Sequence, residues 1–123
     1  MREASFDHER LDVYRLTIDF VAWVGALIDD RVRKAKPSAL KHLDEASTSI
    51  ALNIAEGNGK RSMLDRARFV DIARGSALES AACLDVLVAR TMLDAAERAP
   101  GKDKLVRIVS MLTKLIERLL SAS

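Results

Sequence analysis

Residues 49–61 of this chain read SIALNIAEGNGKR. Polar Ser49, Asn53 and Glu56 recur there at spacings of four and three, which places them on one side of a helix beside apolar residues. The stretch then passes into a glycine-rich turn that carries Lys60 and Arg61. A helix that contributed only to a core would not need this polar face, so these residues indicate a helix with a second role and a defined end.

The composition of the chain favours an all-α protein with a single domain, residues 1–123. Apolar residues make up 49% of the sequence, prolines number two, glycines number five, and aromatic residues are sparse. Ala, Leu, Arg, Asp and Glu dominate, which is helix-forming composition with little strand signal. The formal net charge of +2 is too small to imply nucleic-acid binding by itself.

Apolar periodicity on both sides of residues 49–61 predicts four helices. Pro37 suits a first helical turn, and Gly57 and Gly59 suit a helix end with left-handed geometry. Ser62 followed by Asp65 resembles an N-cap with an acidic first turn. The predicted helices span about 8–34, 37–57, 63–93 and 102–121. Short connections make neighbouring helices antiparallel, so we expect an up-down-up-down four-helix bundle.

The first predicted helix carries apolar residues over about half of its circumference or more. One row consists of Leu11, Tyr14, Ile18, Val21, Gly25, Ile28 and Val32. A second row beside it consists of Val13, Leu16, Phe20, Val24 and Leu27. One neighbouring layer cannot bury both rows, and exposed apolar patches usually mark association surfaces, so the second row is a candidate oligomer interface. The alternative is that helices of the same chain flank this row on both sides.

Glycine and proline mark two further positions. Gly75 lies inside the third predicted helix, where glycine costs about 1 kcal/mol relative to alanine, so we expect another helix to approach closely there. The sequence Ala99-Pro100-Gly101 is expected to separate the third helix from the fourth.

The sequence contains no motif that indicates an enzyme, a metal site or a cofactor site. His8 and His42 lack the Glu-x-x-His or His-x-x-x-His partners of a metal-binding bundle. Cys83 is the single cysteine and lies in an apolar run, where a buried structural thiol is expected rather than a nucleophile. The turn at residues 57–62 lacks the spacing of a phosphate-binding loop. We therefore expect a non-enzymatic protein with no cofactor and no metal.

The sequence also favours a cytoplasmic protein. Its first residues are charged and lack the apolar core of a signal peptide. No stretch approaches the roughly 18 uncharged apolar residues of a membrane helix, so no membrane partner is expected. A single cysteine fits a reducing compartment.

Polar residues of the second and third helices are predicted to form a structural network. Its members are Ser49, Asn53, Glu56, Arg68, Ser76 and Glu79. Leaving a buried polar group unpaired costs about 1 to 3 kcal/mol, so Arg68 and Ser76 are expected to pair with Glu56 and Asn53. Such a network would fix the helix register; an active site built on the same residues is the alternative.

Basic residues form a candidate nucleic-acid-binding set. Lys60, Arg61 and Arg66 lie at the start of the third helix, where free N–H groups and the positive dipole end favour an anion. Further candidates are Arg31, Arg33 and Lys34, and basic residues recur along the fourth helix. The alternative is a capped, solvated turn. In a symmetric oligomer each modest cluster would be repeated and would contact several phosphates.

Three segments resemble a known protein family. They are LDVY at residues 11–14, SIALNIAEG at residues 49–57 with the Gly59-Lys60 turn, and RFVDIARGSALE at residues 68–79. They are similar to the bacterial four-helix bundle family of 23S rRNA intervening-sequence proteins, whose function is largely unassigned. A related branch, the accessory protein of diversity-generating retroelements, forms a barrel-like homopentamer that binds nucleic acid and a reverse transcriptase.

The resemblance implies a homo-oligomer, a homopentamer by analogy with that branch, whose partners are RNA or DNA or another protein. The leading hypothesis is a non-enzymatic oligomeric bundle that binds RNA or DNA through basic surface residues. The alternative is a protein–protein interaction scaffold with no nucleic-acid role.

Overall fold

The computed structural model describes residues 3–29 and 37–123. These residues form a short 3-10 helix, Asp7–Arg10, and four α-helices: α1 (Asp12–Asp29), α2 (Ser38–Asn58), α3 (Met63–Ala89) and α4 (Ala95–Ala122). Within these residues, α1 packs against α2, α2 against α3, and α3 against α4. The last helix, α4, also packs against α1. None of the helices in these two ranges is both long enough and apolar enough to cross a membrane.

The contacts between helices run in opposite sequence directions, which makes the neighbours antiparallel. From α3 to α4, Arg74 bonds Thr113 while the later Asp85 bonds the earlier Arg98. Trp23, near the end of α1, lies against Gly101, near the start of α4. The predicted all-α, antiparallel up-down-up-down four-helix bundle is therefore confirmed.

The α2–α3 connection begins and ends close to the predicted residues, but Gly57 and Gly59 do not end α2 by the predicted left-handed geometry. Ser62 caps α3 as predicted, and its side chain accepts from the Asp65 N–H at 3.1 Å. Gly59 follows the end of α2 in right-handed helical geometry, with φ of −87°, so the expected left-handed closure is wrong. Gly57 is buried instead because α3 passes close to it: a Cβ there would lie 2.8 Å from the Phe69 Cβ.

The fourth helix begins well before residue 102, the predicted start. Asp94 and Glu97 form a capping box, in which the Glu97 N–H donates to Asp94 at 2.7 Å and the Asp94 N–H donates to Glu97 at 3.2 Å. Pro100 therefore lies inside α4, in its second turn, where it lacks an N–H to donate. Pro100 and Gly101 resemble a break in the sequence, but the N-cap of α4 lies earlier, at Asp94.

The boundaries of the first and third helices also differ from the prediction. Residues Asp7–Arg10 form a 3-10 turn, so α1 begins at Asp12 rather than at residue 8. Its predicted end at residue 34 lies outside the described residues. The third helix ends at Ala89 rather than at residue 93, and Thr91 adopts a positive φ of 58° in the turn that follows.

The two apolar rows of α1 are buried in the opposite order to the prediction. Val13, Leu16, Phe20 and Val24 are at most 9% exposed within a single chain, and Leu27 packs against the same core. Buried side chains of this kind cannot contact a second subunit, so the predicted oligomer interface is wrong. The flanking helices are α2 and α4 of the same chain, whereas Ile18 of the other row is 42% exposed.

Close helix approach occurs at Gly101 rather than at Gly75. Gly101 is buried, and a Cβ there would lie under 3.0 Å from three atoms of the Trp23 ring. Gly75 is exposed, and a Cβ there would meet nothing within 4 Å. The predicted close approach at Gly75 is therefore wrong. Gly75 instead lies on the solvent-exposed side of α3.

Candidate nucleic-acid interface

A polar cluster joins the middle of α2 to the middle of α3. The Ser49 and Ser76 hydroxyls share a hydrogen bond at 2.9 Å. The Asn53 side-chain amide donates to the Ser49 carbonyl at 2.9 Å and to the Ser49 hydroxyl at 3.0 Å. Ser80 is fully buried and donates to the Ser76 carbonyl at 2.9 Å. Asn53 therefore reaches Ser76 through Ser49, and the structure brings these predicted network residues together across the helix contact.

The charged members of the predicted network lie elsewhere. Glu56 is exposed, and its carboxylate lies 3.9 Å from the Lys60 ammonium. Arg68 pairs with Asp65 of its own helix at 2.9 Å, and both side chains are well exposed. Glu79 is exposed as well. The expected pairing of Arg68 with Glu56 is wrong, because each surface charge has a closer partner three or four residues away along the chain.

The turn between α2 and α3 presents basic side chains that differ in their contacts and exposure. The Lys60 ammonium lies 4.7 Å from the centre of the Phe69 ring, a cation–π contact. Arg66 donates from Nε to the Lys60 carbonyl at 2.6 Å, which holds the turn against the first turn of α3. Arg61 is exposed at the tip of the turn. Lys60 and Arg66 are thus positioned by the fold, whereas Arg61 extends towards solvent.

The turn also lies at the N-terminus of a 27-residue helix. The first N–H groups of a helix lack partners within it, and the aligned peptide dipoles place partial positive charge there. The Ser62 cap satisfies the N–H of Asp65. A helix end with basic side chains beside it is of a kind that binds phosphate. Here Lys60 and Arg61 are the basic side chains, and the carboxylates of Glu56 and Asp65 lie near them. The chemistry available here is anion binding.

An aromatic row lies beside this turn. The Phe6 and His8 rings are nearly parallel, with centroids 5.9 Å apart, and the His8 and Tyr14 rings meet edge to face at 4.7 Å. The Asn58 side chain donates to the Asp7 carboxylate at 2.9 Å and so fastens this segment to the end of α2. The helical periodicity used for the sequence prediction did not reveal the row, because Phe6 and His8 precede α1.

Further basic residues line the exposed side of α4. Arg107, Lys114 and Arg118 recur at spacings of seven and four, which places them on one face, and all three are exposed. A groove of about 270 Å³ joins Arg118 to Arg10, the last residue of the 3-10 helix. The α4 helix also carries Lys102 and Lys104 towards its other end. The predicted nucleic-acid residues Arg31, Arg33 and Lys34 lie outside the described residues.

A separate groove of about 410 Å³ lies between the first turns of α2 and the last turns of α3. His42, Glu79 and Cys83 line it. Burial raises the pKa of the Cys83 thiol above its ordinary value, and the neighbouring Glu79 charge raises it further. A raised pKa disfavours the thiolate that a nucleophilic cysteine needs. Within residues 3–29 and 37–123, no three His, Cys, Asp or Glu side chains lie close enough together to hold a metal ion.

Comparisons with known proteins identify the family. Curated proteins gave no match. A crystal structure of a Bacteroides thetaiotaomicron protein, described as a protein of unknown function from the S23 ribosomal protein family, superimposes with a TM-score of 0.79. The two sequences are 22% identical, and the match covers 85% of this chain and 97% of that one, so it supports the fold. Residues 9–114 match the sequence model of the 23S rRNA-intervening sequence proteins. This chain therefore belongs to the 23S rRNA-intervening sequence protein family.

Proposed function

We propose that this protein is a non-enzymatic, homo-oligomeric bundle that binds RNA or DNA through backbone phosphates. The observation that supports this most directly is the α2–α3 turn, where Lys60 and the exposed Arg61 lie at the positive end of α3. Phosphates favour such a helix end because the N–H groups and the dipole act together with the basic side chains. Arg66 holds the turn in place through its bond to the Lys60 carbonyl.

Assembly is part of the proposal because one copy carries little positive charge. The net charge of the chain is only +2, and Glu56 already lies 3.9 Å from Lys60. Repeating the turn around an oligomer would let one nucleic acid contact several copies at once. The family resemblance implies five copies.

The exposed apolar side of α3 provides a surface for this assembly. We call it the α3 strip; it comprises Leu64, Ile72, Gly75, Leu78, Ala82 and Val86. Its large side chains are 39% to 62% exposed in a single chain. Arg68 and Glu79 on the same side carry opposite charges about three helical turns apart. Packing of this side against a second copy would let Arg68 of one copy pair with Glu79 of the other, which favours a second copy as the partner.

The structure offers little support for an enzyme. Cys83 is 8% exposed and its pKa is raised, so the thiol remains protonated near neutral pH. His42 lines the same groove but is itself exposed to solvent. The proposal accordingly includes no catalytic residue and no cofactor, and it assigns the protein to the cytoplasm, where its nucleic-acid partners would be found.

Salt-dependent binding of labelled oligonucleotides tests the proposal. Fluorescence anisotropy should detect binding at about 50 mM salt and a steep loss of affinity towards about 200 mM, because phosphate contacts release counterions. Replacing Lys60 and Arg61 together with alanine should weaken binding and reduce the salt slope by about one to two for each turn in contact. Absence of binding to RNA and DNA at low salt would contradict the proposal.

A matched control removes the same charge at the opposite end of the bundle. Lys41 in the first turns of α2 and Lys102 in the first turns of α4 are both exposed. Their replacement by alanine lowers the net charge by the same amount as the Lys60 and Arg61 change. If the two double variants bind equally weakly, net charge rather than the turn determines affinity. In that case the assignment of the turn is wrong.

The α3 strip also favours the second candidate function, a protein-interaction scaffold. If the purified protein binds no nucleic acid and is monomeric, the strip remains exposed and another protein becomes the better candidate to cover it. Light scattering and anisotropy on the same preparation therefore separate the two functions.

A further inference from the structure

The N-terminal segment holds an aromatic side chain in solvent next to the basic turn. Phe6 is 73% exposed, although large apolar side chains are usually buried. One side of its ring stacks on His8, with an angle of 11° between the ring planes. His8 in turn contacts Tyr14 of α1 edge to face. Phe6 is therefore the outermost ring of a row that extends from the bundle surface.

Several hydrogen bonds hold this segment in place. The Asn58 amide donates to Asp7 at 2.9 Å and joins the segment to α2. The Arg15 guanidinium donates to the carbonyls of Glu9 and Arg10, both at 3.0 Å. The Glu9 N–H donates to the Phe6 carbonyl at 3.1 Å. Because the segment is fastened on both sides of His8, little conformational entropy remains to be lost when a ligand stacks on the row.

The surroundings of the row favour a base over a phosphate. Asp7 and Glu9 are exposed carboxylates in the same segment and would repel a phosphate. Lys60 and Arg61 follow Asn58, the residue bonded to Asp7, by only two and three positions. A strand whose phosphates lie on the turn would therefore have its bases within one to a few nucleotides of Phe6. In a duplex, bases are stacked on one another inside the helix, whereas single strands offer free base faces.

We propose that Phe6, supported by His8, stacks on a base of single-stranded RNA or DNA whose phosphates contact Lys60 and Arg61. This inference rests on the proposed nucleic-acid function and specifies its substrate class. Stacking needs only an aromatic face, so the site would accept different bases and favour unpaired strands over duplexes.

Three probes of equal length separate base contacts from phosphate contacts. They are a single-stranded oligonucleotide, the corresponding duplex, and a single strand that carries abasic sites at successive positions. The wild-type protein should bind the single strand most tightly and the abasic strand about ten-fold more weakly, since base–aromatic stacking contributes about 1 to 3 kcal/mol. The fluorescence of a 2-aminopurine base in the single strand should change when that base leaves its neighbouring bases and stacks on Phe6.

Substitutions at Phe6 identify the residue. Phe6→Ala and Phe6→Leu should both lower single-strand affinity about ten-fold, with the salt slope unchanged because no phosphate contact is lost. Phe6→Trp should retain the wild-type affinity. Since Phe6 is exposed, all three variants should keep the helix content and melting temperature of the wild type, which circular dichroism checks.

The outcomes distinguish this inference from the function on which it rests. If the wild type binds single strands, duplexes and abasic strands equally, and Phe6→Ala binds as tightly, stacking is wrong while phosphate binding stands. If Phe6→Leu binds as tightly as the wild type, Phe6 contributes apolar contact rather than stacking and the inference is overturned. If no probe binds at about 50 mM salt, the proposed function and the inference both fail.

Discussion

At the scale of single residues, two glycines of the bundle have opposite surroundings. Gly101 lies under the Trp23 ring, whereas Gly75 lies in open space on α3. Both are interior helix positions, where glycine costs about 1 kcal/mol relative to alanine. The sequence alone could not show which glycine is required, because a glycine is required only where a side chain of another helix occupies the space of its Cβ, as Trp23 does at Gly101.

This difference predicts opposite effects of the same substitution. Gly101→Ala should lower the free energy of unfolding by about 1 to 3 kcal/mol, because its Cβ would overlap the Trp23 ring. In the dissociated chain, where no second copy covers the α3 strip, Gly75→Ala should raise it by about 0.5 to 1 kcal/mol through better helix propensity. Urea unfolding followed by circular dichroism measures both. A stable Gly101→Ala variant would contradict the packing, and a destabilised Gly75→Ala variant would indicate that something outside the chain covers α3.

The aromatic row of Phe6, His8 and Tyr14 is a feature that the sequence alone did not predict. Basic residues at the turn could be recognised because they stand beside a helix start signal, Ser62 and Asp65. Phe6 carries no such signal, since its importance comes from stacking on His8 and from exposure to solvent. Phe6 lies near the α2–α3 turn because of the hydrogen bond between the Asn58 amide and the Asp7 carboxylate, whose residues are separated by 51 positions. Contacts of that separation do not follow from local periodicity.

At the scale of helices, periodicity predicted the four elements but did not decide which faces were buried. Both rows of α1 are apolar, so only the positions of α2 and α4 show that the Phe20 row faces the core. The predicted start of α4 at residue 102 is too late because Pro100 and Gly101 resemble a break, whereas Asp94 and Glu97 supply the cap. A capping box before an otherwise polar stretch was the signal that would have corrected it.

The contact between α2 and α3 gives a prediction about helix register. Asn53→Ala removes the amide that bonds Ser49 and should lower the free energy of unfolding by about 1 kcal/mol. Glu56→Ala, three residues away, removes only an exposed carboxylate and should change it by less than about 0.5 kcal/mol. Thermal and urea unfolding of both variants provide the comparison. Equal losses of unfolding free energy in the two variants would show that the Asn53 hydrogen bonds stabilise the fold no more than the exposed Glu56 carboxylate does.

At the scale of the whole molecule, a single chain leaves apolar surface exposed on α3. Apolar patches that a single chain leaves exposed usually mark contact surfaces, and α3 leaves Ile72 and Leu78 about half exposed. The core formed by α1, α2, α3 and α4 already buries the row that the sequence had suggested for assembly. The remaining apolar surface on α3 is therefore the better candidate for contact between copies.

Assembly through the α3 strip predicts a specific loss of oligomer mass. Leu78→Asp places a charge within the strip and should reduce the molar mass measured by light scattering towards that of a 13.6 kDa chain, because the charge would be desolvated at the contact. Val106→Asp is the matched control, since Val106 is 61% exposed on α4 and its replacement adds the same charge outside the strip. Both variants should keep the helix content of the wild type. A wild-type protein that is monomeric at micromolar concentration, or a Val106→Asp variant that dissociates as fully as Leu78→Asp, would show that the strip does not hold copies together.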